Sequence, residues 1–466
     1  MIRVVCSKET YVYNGYHMVK AFYPHEEAAS CVEEKASHYI SVYFEDGSAA
    51  AVAKEEVPGD GVVEARELKY RIDCLLYKKL VSRTGRSLAW GILMGVRPTK
   101  IAMAEMEGGA VKEDFTARFV QDYFVSREKA ELAWQIAERE KRLLDRLDKR
   151  GISLYIGIPF CPSVCTYCSF SSGALADWKD RVEDYIDALL RELAAIARAA
   201  VKWRLNTIYI GGGTPTTLSA AQMERLLSFL DEKFSKEHLL EYTVEAGRPD
   251  SITPEKLSVL KAHGVTRISI NPQSMQQKTL DVIGRLHTPE DIRTAYRMAR
   301  EAGFDNINMD LIAGLPKETE EDMRDTLSQI ERLAPDSITV HSLAVKRAAR
   351  MGQKKEYPMS PQIGQMIRDA ADCAKRMGMS PYYLYRQKNI SGNFENVGYA
   401  KVDKAGLYNI LIMEEKQTIV ACGAGSISKR VYPDGRIERC ENVKDIASFI
   451  ERIDEMIERK RKLLED

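Results

Sequence analysis

Three cysteines, Cys161, Cys165 and Cys168, fall within eight positions of the stretch PFCPSVCTYCSF at 159–170. Thiolates gathered this densely are metal ligands in waiting, and the spacing C-x3-C-x2-C lets one loop carry all three sulfurs round a single centre. Pro159 and Pro162, on either side of the first cysteine, restrict the backbone there. Structural zinc wants a closed set of four nitrogen or sulfur ligands. No fourth Cys or His lies nearby, since Ser169 and Phe170 follow and the nearest histidine is far along the chain. An iron–sulfur cluster held by only three cysteines leaves one iron open to an outside ligand. A zinc site completed by a distant residue is the competing reading.

The elements that must position this loop are legible around it. From about residue 150 to 345, short runs rich in β-branched residues (SLYIGIP, NTIYIGG, EYTVEA, RISINPQ, NINMDLIAGLP, SITVHSL) alternate with amphipathic stretches such as VEDYIDALLRELAAIARAAV and EDMRDTLSQIERL. Strand-plus-helix units in series predict a parallel sheet with helices outside, either doubly wound or barrel-like. In both arrangements ligands bind at the carboxyl ends of the strands. The cysteine loop directly follows the first of these strands. An open iron on such a scaffold suits radical chemistry on S-adenosylmethionine, whose amine and carboxylate can chelate the free iron.

The other strand ends carry a matching set. YIGGGTPTTLS ends the second strand with Gly211, Gly212, Gly213 and Thr214, where missing Cβ atoms let backbone approach a ligand. No Lys-Ser or Lys-Thr follows, so this is not a phosphate loop. Glu245 in YTVEAGRPD, Gln273 in INPQSM, Arg285 in GRLHT and Asp310 in NMDLIAGLP fall at or near successive strand ends. Singly each reads equally well as a satisfied polar residue; together on one rim they favour ligand contact.

Taken together, YIGIPFCPSVCTYCSF, GGGTPT, VEAGRPDSIT, ISINPQSM, GRLHT, MDLIAGLPKET and GAGSIS resemble the radical SAM proteins of the oxygen-independent coproporphyrinogen III oxidase type. The phrase WGILMGVRPTKI in a long N-terminal extension makes the chain most similar to the coproporphyrinogen dehydrogenase branch, HemZ. The resemblance implies a partial parallel (β/α)6 barrel, an α/β fold, with a 4Fe-4S cluster on Cys161, Cys165 and Cys168. It also implies S-adenosylmethionine contacts at Tyr155, Tyr167, Gly212, Gly213, Thr214, Glu245, Gln273, Arg285, Asp310 and the backbone of Ala344, some of them to a second molecule in the oxidase. The implied reaction is oxidative decarboxylation of two coproporphyrinogen III propionates to vinyl groups through a 5′-deoxyadenosyl radical, with an electron donor that the sequence leaves unidentified. No residue is implied as catalytic acid or base.

The chain departs from the oxidase pattern where a further cysteine is replaced by Phe170 and a strand histidine by Gly157. Phe170 resembles instead the haem-chaperone branch. A haem-binding chaperone, or a radical SAM enzyme acting on haem itself, are therefore the alternatives. Axial haem ligands would be sought at His287 or His341. Tetrapyrrole carboxylates would be met by Arg248, Arg285, Lys346 or Arg347.

Outside the alternating region, residues 1–150 read as an α/β piece, with strands in YISVYFEDGSAAAVAKEE, a turn at PGDG and a helical connector. Residues 346–466 read as an α+β extension: a basic loop, the helix GQMIRDAADCAKRMG, strands at YYLYRQ, LYNILIMEE, QTIVACGAG and RIERCE, and a charged terminal helix. The 466 residues carry 68 Lys plus Arg against 68 Asp plus Glu, so the charge balance gives no reason to expect nucleic acid or an anionic membrane as partner. The sequence shows neither a signal-peptide core nor a membrane-spanning run, and six scattered cysteines (Cys6, Cys31, Cys74, Cys373, Cys422, Cys440) read as buried apolar residues in a reducing compartment. The expected location is cytoplasmic.

Overall fold

A computed structural model of the chain describes residues 1–57, 64–148, 150–170, 172–344, 349, 351, 362–386 and 393–465. The PGDG turn and most of the basic loop after 345, with Lys346 and Arg347, lie outside the described residues.

The expected parallel strands form: Gly151–Ile158, Arg204–Gly212, Glu241–Glu245, Arg267–Ser269, Ile307–Ala313 and Ser337–Ser342 lie side by side in chain order, each parallel to the next. They make an open, partial barrel. Between them run outer helices whose starts are fixed by local chemistry. Ser219, Thr288 and Thr319 each accept a bond from the backbone N–H three residues on, while Gln222, Asp291 and Asp322 reach back to close a capping box. The helix Val182–Ala199 buries Tyr185, Ile186, Leu189, Leu193 and Ile196, the spacing of a single apolar stripe against the sheet.

Residues after 345 do more than extend the chain, because they complete both edges of this sheet. Thr418–Cys422 adds a strand parallel to the first barrel strand, and Ile427–Val431 and Ile437–Glu441 continue antiparallel beyond it. At the other edge Asn396–Ala400 pairs antiparallel with the sixth strand and Ser380–Tyr385 follows, giving eleven strands in one sheet among the described residues. An open parallel sheet leaves two rows of unpaired backbone groups, and these segments satisfy them. The segment LYNILIMEE, expected as a strand, is instead the helix Leu407–Glu414. Glu241 accepts the N–H groups of Leu407 and Tyr408, so a carboxylate 166 residues away in sequence caps its first turn.

The first 150 residues contribute to two separate cores. Strands Ile2–Cys6, Ala28–Val32, His38–Tyr43 and Ala49–Ala53 form a small sheet packed by the helices Glu9–Phe22 and Ala65–Thr84 around Val4, Phe22, Ile40, Ile72 and Leu76. The helices Pro98–Glu107, Lys112–Tyr123 and Arg127–Leu144 belong to the barrel's own core through Met103, Phe115, Ala133 and Trp134. The phrase WGILMGVRPTKI is the seam. Trp90 donates to Glu395 at 2.7 Å, the Thr99 hydroxyl donates to Glu414 at 3.2 Å, and Lys100 pairs with Glu415 at 2.7 Å. Among the described residues no helix is long and apolar enough to cross a membrane.

Candidate functional site

The cysteine loop leaves the first barrel strand through Phe160–Cys161, which pairs with Gly173–Ala174 and so closes the loop at its base. Its middle is tied to the segment after the fourth strand: Thr166 N–H donates to Ile283 C=O at 3.0 Å and Ser163 Oγ to Gly284 C=O at 3.0 Å. Cys165 is buried, Cys161 and Cys168 are half-buried, and all three face one cavity of about 360 Å³. All nine cysteines are free thiols; of the scattered six, Cys6, Cys373 and Cys422 are buried as expected, whereas Cys31 is exposed and Cys74 and Cys440 are half-buried. The Thr214 hydroxyl donates to Cys161 Sγ at 3.6 Å, and burial pushes the Cys161 and Cys168 thiols up. Ligation by a metal would draw those protons off.

Among the described residues no three His, Cys, Asp or Glu side chains gather closely enough to hold a single metal ion. A zinc ion needs its donors within about 2.3 Å of one point. Three thiols lining one cavity fit instead a cubane cluster, whose four irons take alternate corners and so need separate ligands, with one iron left to a ligand from outside the chain.

The glycine turn packs directly on this loop. Gly213 N–H donates to Ile158 C=O at 2.8 Å and Thr214 N–H to Phe160 C=O at 2.7 Å; a Cβ on Gly213 would stand 2.6 Å from the Phe160 oxygen. Gly212 adopts a φ of +105°, which side chains resist. The missing Cβ at 213 is thus demanded first by the chain's own backbone, while Gly212, Gly213 and Thr214 all line the cavity.

The remaining rim residues meet there too. Glu245 accepts the Tyr209 hydroxyl, and burial, reinforced by the charge of Asp310, raises its carboxyl to about 7. Asp310 goes the other way. Burial raises it, but His341 at 3.7 Å, Asn308 and Thr339 outweigh burial and hold it below the usual range. His341 Nδ1 in turn lies 3.0 Å from the Tyr385 hydroxyl. Gln273 sits at a φ of +64°, bonded through its backbone to Asp310 and Ile312, and its side-chain oxygen is buried with no partner among the described residues. Such strain at a cavity wall is the kind that function retains. Arg285 donates to Asn271 C=O and to the Tyr167 hydroxyl at 3.5 Å, and its buried Nε has no partner among the described residues.

Tyr167 and Ala344 line the cavity; Tyr155 does not. Its ring stacks 6.1 Å from both Tyr209 and Tyr408, backing the residue that holds Glu245. Arg248 lines the cavity, but its donors are taken by Asp250 and the cysteine loop, which leaves it no fork for a substrate carboxylate. His287 is fully buried beside Asp250, and burial lowers its pKa. Of the two histidines considered as haem ligands, only His341 lines the cavity.

Sequence reasoning missed Tyr209, Thr243, Arg267, Ser269, Asn308, Thr339 and Tyr385, all on the cavity wall. The signal was present in the strands. Ser153 and Tyr155, Thr207 and Tyr209, Glu241, Thr243 and Glu245, Arg267 and Ser269, Asn308 and Asp310, and Ser337, Thr339 and His341 occupy alternate positions, separated from one another by apolar residues. Side chains two apart share a face. A barrel lumen is ordinarily filled with branched apolar side chains; a polar ladder in every strand marks one built round a ligand.

A model of the radical SAM superfamily matches residues 155–330. The oxygen-independent coproporphyrinogen-III oxidase-like protein HemZ of Bacillus subtilis is 39% identical over 96% of this chain and 94% of its own length. The heme chaperone HemW of the same organism is 37% identical over 45% of this chain and 56% of its own. In fold, the chain is similar to the coproporphyrinogen III oxidase HemN of Escherichia coli, with a TM-score of 0.54 over 69% of this chain and 73% of that one, at 24% identity. With the cysteine loop, the glycine turn and the polar lumen assembled on one partial barrel, the chain belongs to the radical SAM superfamily, in the HemZ-like family.

Proposed function

We propose that the chain converts two propionate side chains of coproporphyrinogen III to vinyl groups without oxygen, giving protoporphyrinogen IX. Superfamily membership implies a 4Fe-4S cluster and S-adenosylmethionine. The observation that carries the reading is one continuous cavity, which runs from the three thiols past Asp310 to His341, Tyr383 and Tyr385, so that these last three supply a wall for a substrate beyond the residues assigned to a cofactor. The near full-length likeness to a protein named oxidase-like supports it.

In this reading Cys161, Cys165 and Cys168 hold the cluster, Gly212, Gly213 and Thr214 meet the methionyl group, Glu245 takes the ribose hydroxyls, and Tyr167, Gln273, Arg285, Asp310 and the Ala344 backbone complete the contacts. Tyr155 acts through Tyr209. A cluster and S-adenosylmethionine held there would supply one-electron hydrogen-abstracting chemistry, given an electron from an outside donor, under which each propionate would lose one hydrogen atom, carbon dioxide and one further electron to an acceptor. The chain's own residues orient and shield. Arg285, with an unpartnered buried Nε, offers a planar donor to a carboxylate. Glu245, raised to about 7 and held by Tyr209, can both accept and donate toward hydroxyls. Ile312 and Leu343 give the cavity its apolar wall against water.

Anaerobically reconstituted protein given coproporphyrinogen III, S-adenosylmethionine and a reductant should form vinyl product and 5′-deoxyadenosine together, read by mass spectrometry. A second reading, a haem-binding chaperone, is favoured by one observation: Phe170, 73% exposed beside the cysteine loop, stands where the oxidase pattern has a cysteine. Stoichiometric haem binding without vinyl product would replace the first reading with the second.

A further inference from the structure

Arg248 lies just beyond the third barrel strand and is only 2% exposed. Its guanidinium is held in a fixed orientation. Nε and Nη2 donate to the two carboxylate oxygens of Asp250 at 2.9 and 2.7 Å, a fork-to-fork pair. Nη1, on the opposite side, donates to Ser163 C=O at 3.2 Å and Ser163 Oγ at 3.1 Å, and lies 3.9 Å from Cys165 Sγ. Asp250 is held well below the usual carboxylate range by the bonds and charges of His287 and Arg248, against its own burial, and the His287 ring stands 3.7 Å from it. Pro249 fixes the backbone between the two partners, and Ser163 Oγ carries the chain of bonds on to Gly284 C=O at 3.0 Å.

The pair is neutral overall but directed: its positive end meets the sulfur of Cys165 and its negative end faces away. A group bound through that sulfur therefore experiences a fixed cation at short range in a buried setting, where charge interactions are strong. Reducing such a group adds a negative charge, which the cation favours. Lysine could supply the charge but not the fork that reaches Asp250 and Ser163 at once.

We propose that Arg248, aimed by Asp250, is a positioning residue that clamps the cysteine loop through Ser163 and biases the group held by Cys165 toward its reduced state. Groups of this outer kind orient ligands and tune what they hold.

The test uses the full chain, anaerobically reconstituted with iron and sulfide and titrated by EPR-monitored redox potentiometry without any tetrapyrrole, so the question of substrate does not enter. R248Q should lower the reduced-to-oxidised ratio at fixed potential at least tenfold, about 59 mV more negative for one electron. D250N, which removes the counter-charge and keeps the cation, should move the midpoint in the opposite direction. R248K should keep a midpoint closer to that of the parent than R248Q does while losing iron faster in air, because the charge remains and the clamp is gone. If R248Q holds no iron, D250N and R248K carry the comparison. Midpoints unchanged in the variants that hold iron, or shifted with the same sign in R248Q and D250N, overturn the proposal.

Discussion

Replacing Lys460 by methionine exposes how the end of the first barrel strand is supported. Lys460 on the helix Ile453–Glu465 and Glu192 on the helix Val182–Ala199 are both fully buried and paired. Glu192 also accepts the Gly423 N–H at 2.8 Å and the Asn442 amide at 2.8 Å, and Lys460 donates to the Asn442 oxygen at 2.8 Å. Gly423 packs so closely on the first strand that a Cβ there would meet the Gly157 oxygen at 2.4 Å, and the Tyr185 hydroxyl donates to that same oxygen at 2.6 Å. The lysine therefore neutralises a carboxylate that anchors the backbone next to the cysteine loop. Removing one partner of a buried pair costs about 3–5 kcal/mol, whereas replacing both is often nearly neutral. For a body whose core runs from Trp90 to Leu464, at about 2.1 cal/mol/K of unfolding entropy per residue, that is a fall in melting temperature of roughly 4–6 °C. The assay is thermal and urea unfolding of the metal-free chain, followed on the barrel transition because the N-terminal sheet has a separate core. K460M should lose most of that amount, and the double variant E192Q/K460M should recover the larger part of it. A single variant within 1 °C of the parent, a shift of less than about 1 kcal/mol, or a double variant as unstable as the single one, would refute the reasoning.

Cys165→Ala should reduce the visible absorption and iron content of reconstituted protein to background, measured by spectrophotometry and iron assay. Gly213→Ala forces a Cβ to 2.6 Å from the Phe160 oxygen, and the shift that follows should cost about 1–3 kcal/mol in urea unfolding and at least halve the iron retained. Glu245 keeps its proton up to about 7 in the folded chain but loses it near 4.5 when unfolded. The folded state therefore binds the extra proton between those values, and stability falls as pH rises through that window. In Glu245→Gln that part of the pH–stability profile should flatten relative to the parent. Trp90→Phe removes the donor to Glu395 and should cost about 1–3 kcal/mol in urea unfolding of the barrel body.

Much of this arrangement could be read from the chain. The cysteine spacing, the glycine turn and the βα alternation are local patterns, and each maps onto the element expected of it. What could not be read depends on distant partners. The run 407–414 is rich in Leu, Ile and Tyr and looks like a strand, yet Glu241 caps it as a helix and Tyr408 stacks 4.4 Å from Tyr209. Of the strands after 380, Ser380–Tyr385, Thr418–Cys422 and Ile437–Glu441 are legible singly, whereas Asn396–Ala400 and Ile427–Val431 are not anticipated, and nothing local says that these segments close both edges of the barrel sheet. Arg248 looked available to a substrate because its partners, Asp250 and the Ser163 carbonyl, are set by the fold. The polar ladder of the lumen was readable in principle, since alternate positions in six strands repeat the same departure from apolar character.

The central claim is that the polypeptide supplies three ligands and leaves the fourth metal position to S-adenosylmethionine. Its most direct test is the EPR spectrum of the reduced, reconstituted protein before and after adding S-adenosylmethionine, alongside iron and sulfide analysis. Four irons per chain and a spectrum that changes on addition are predicted. A single tightly bound zinc, or a cluster whose spectrum is indifferent to S-adenosylmethionine, would contradict it.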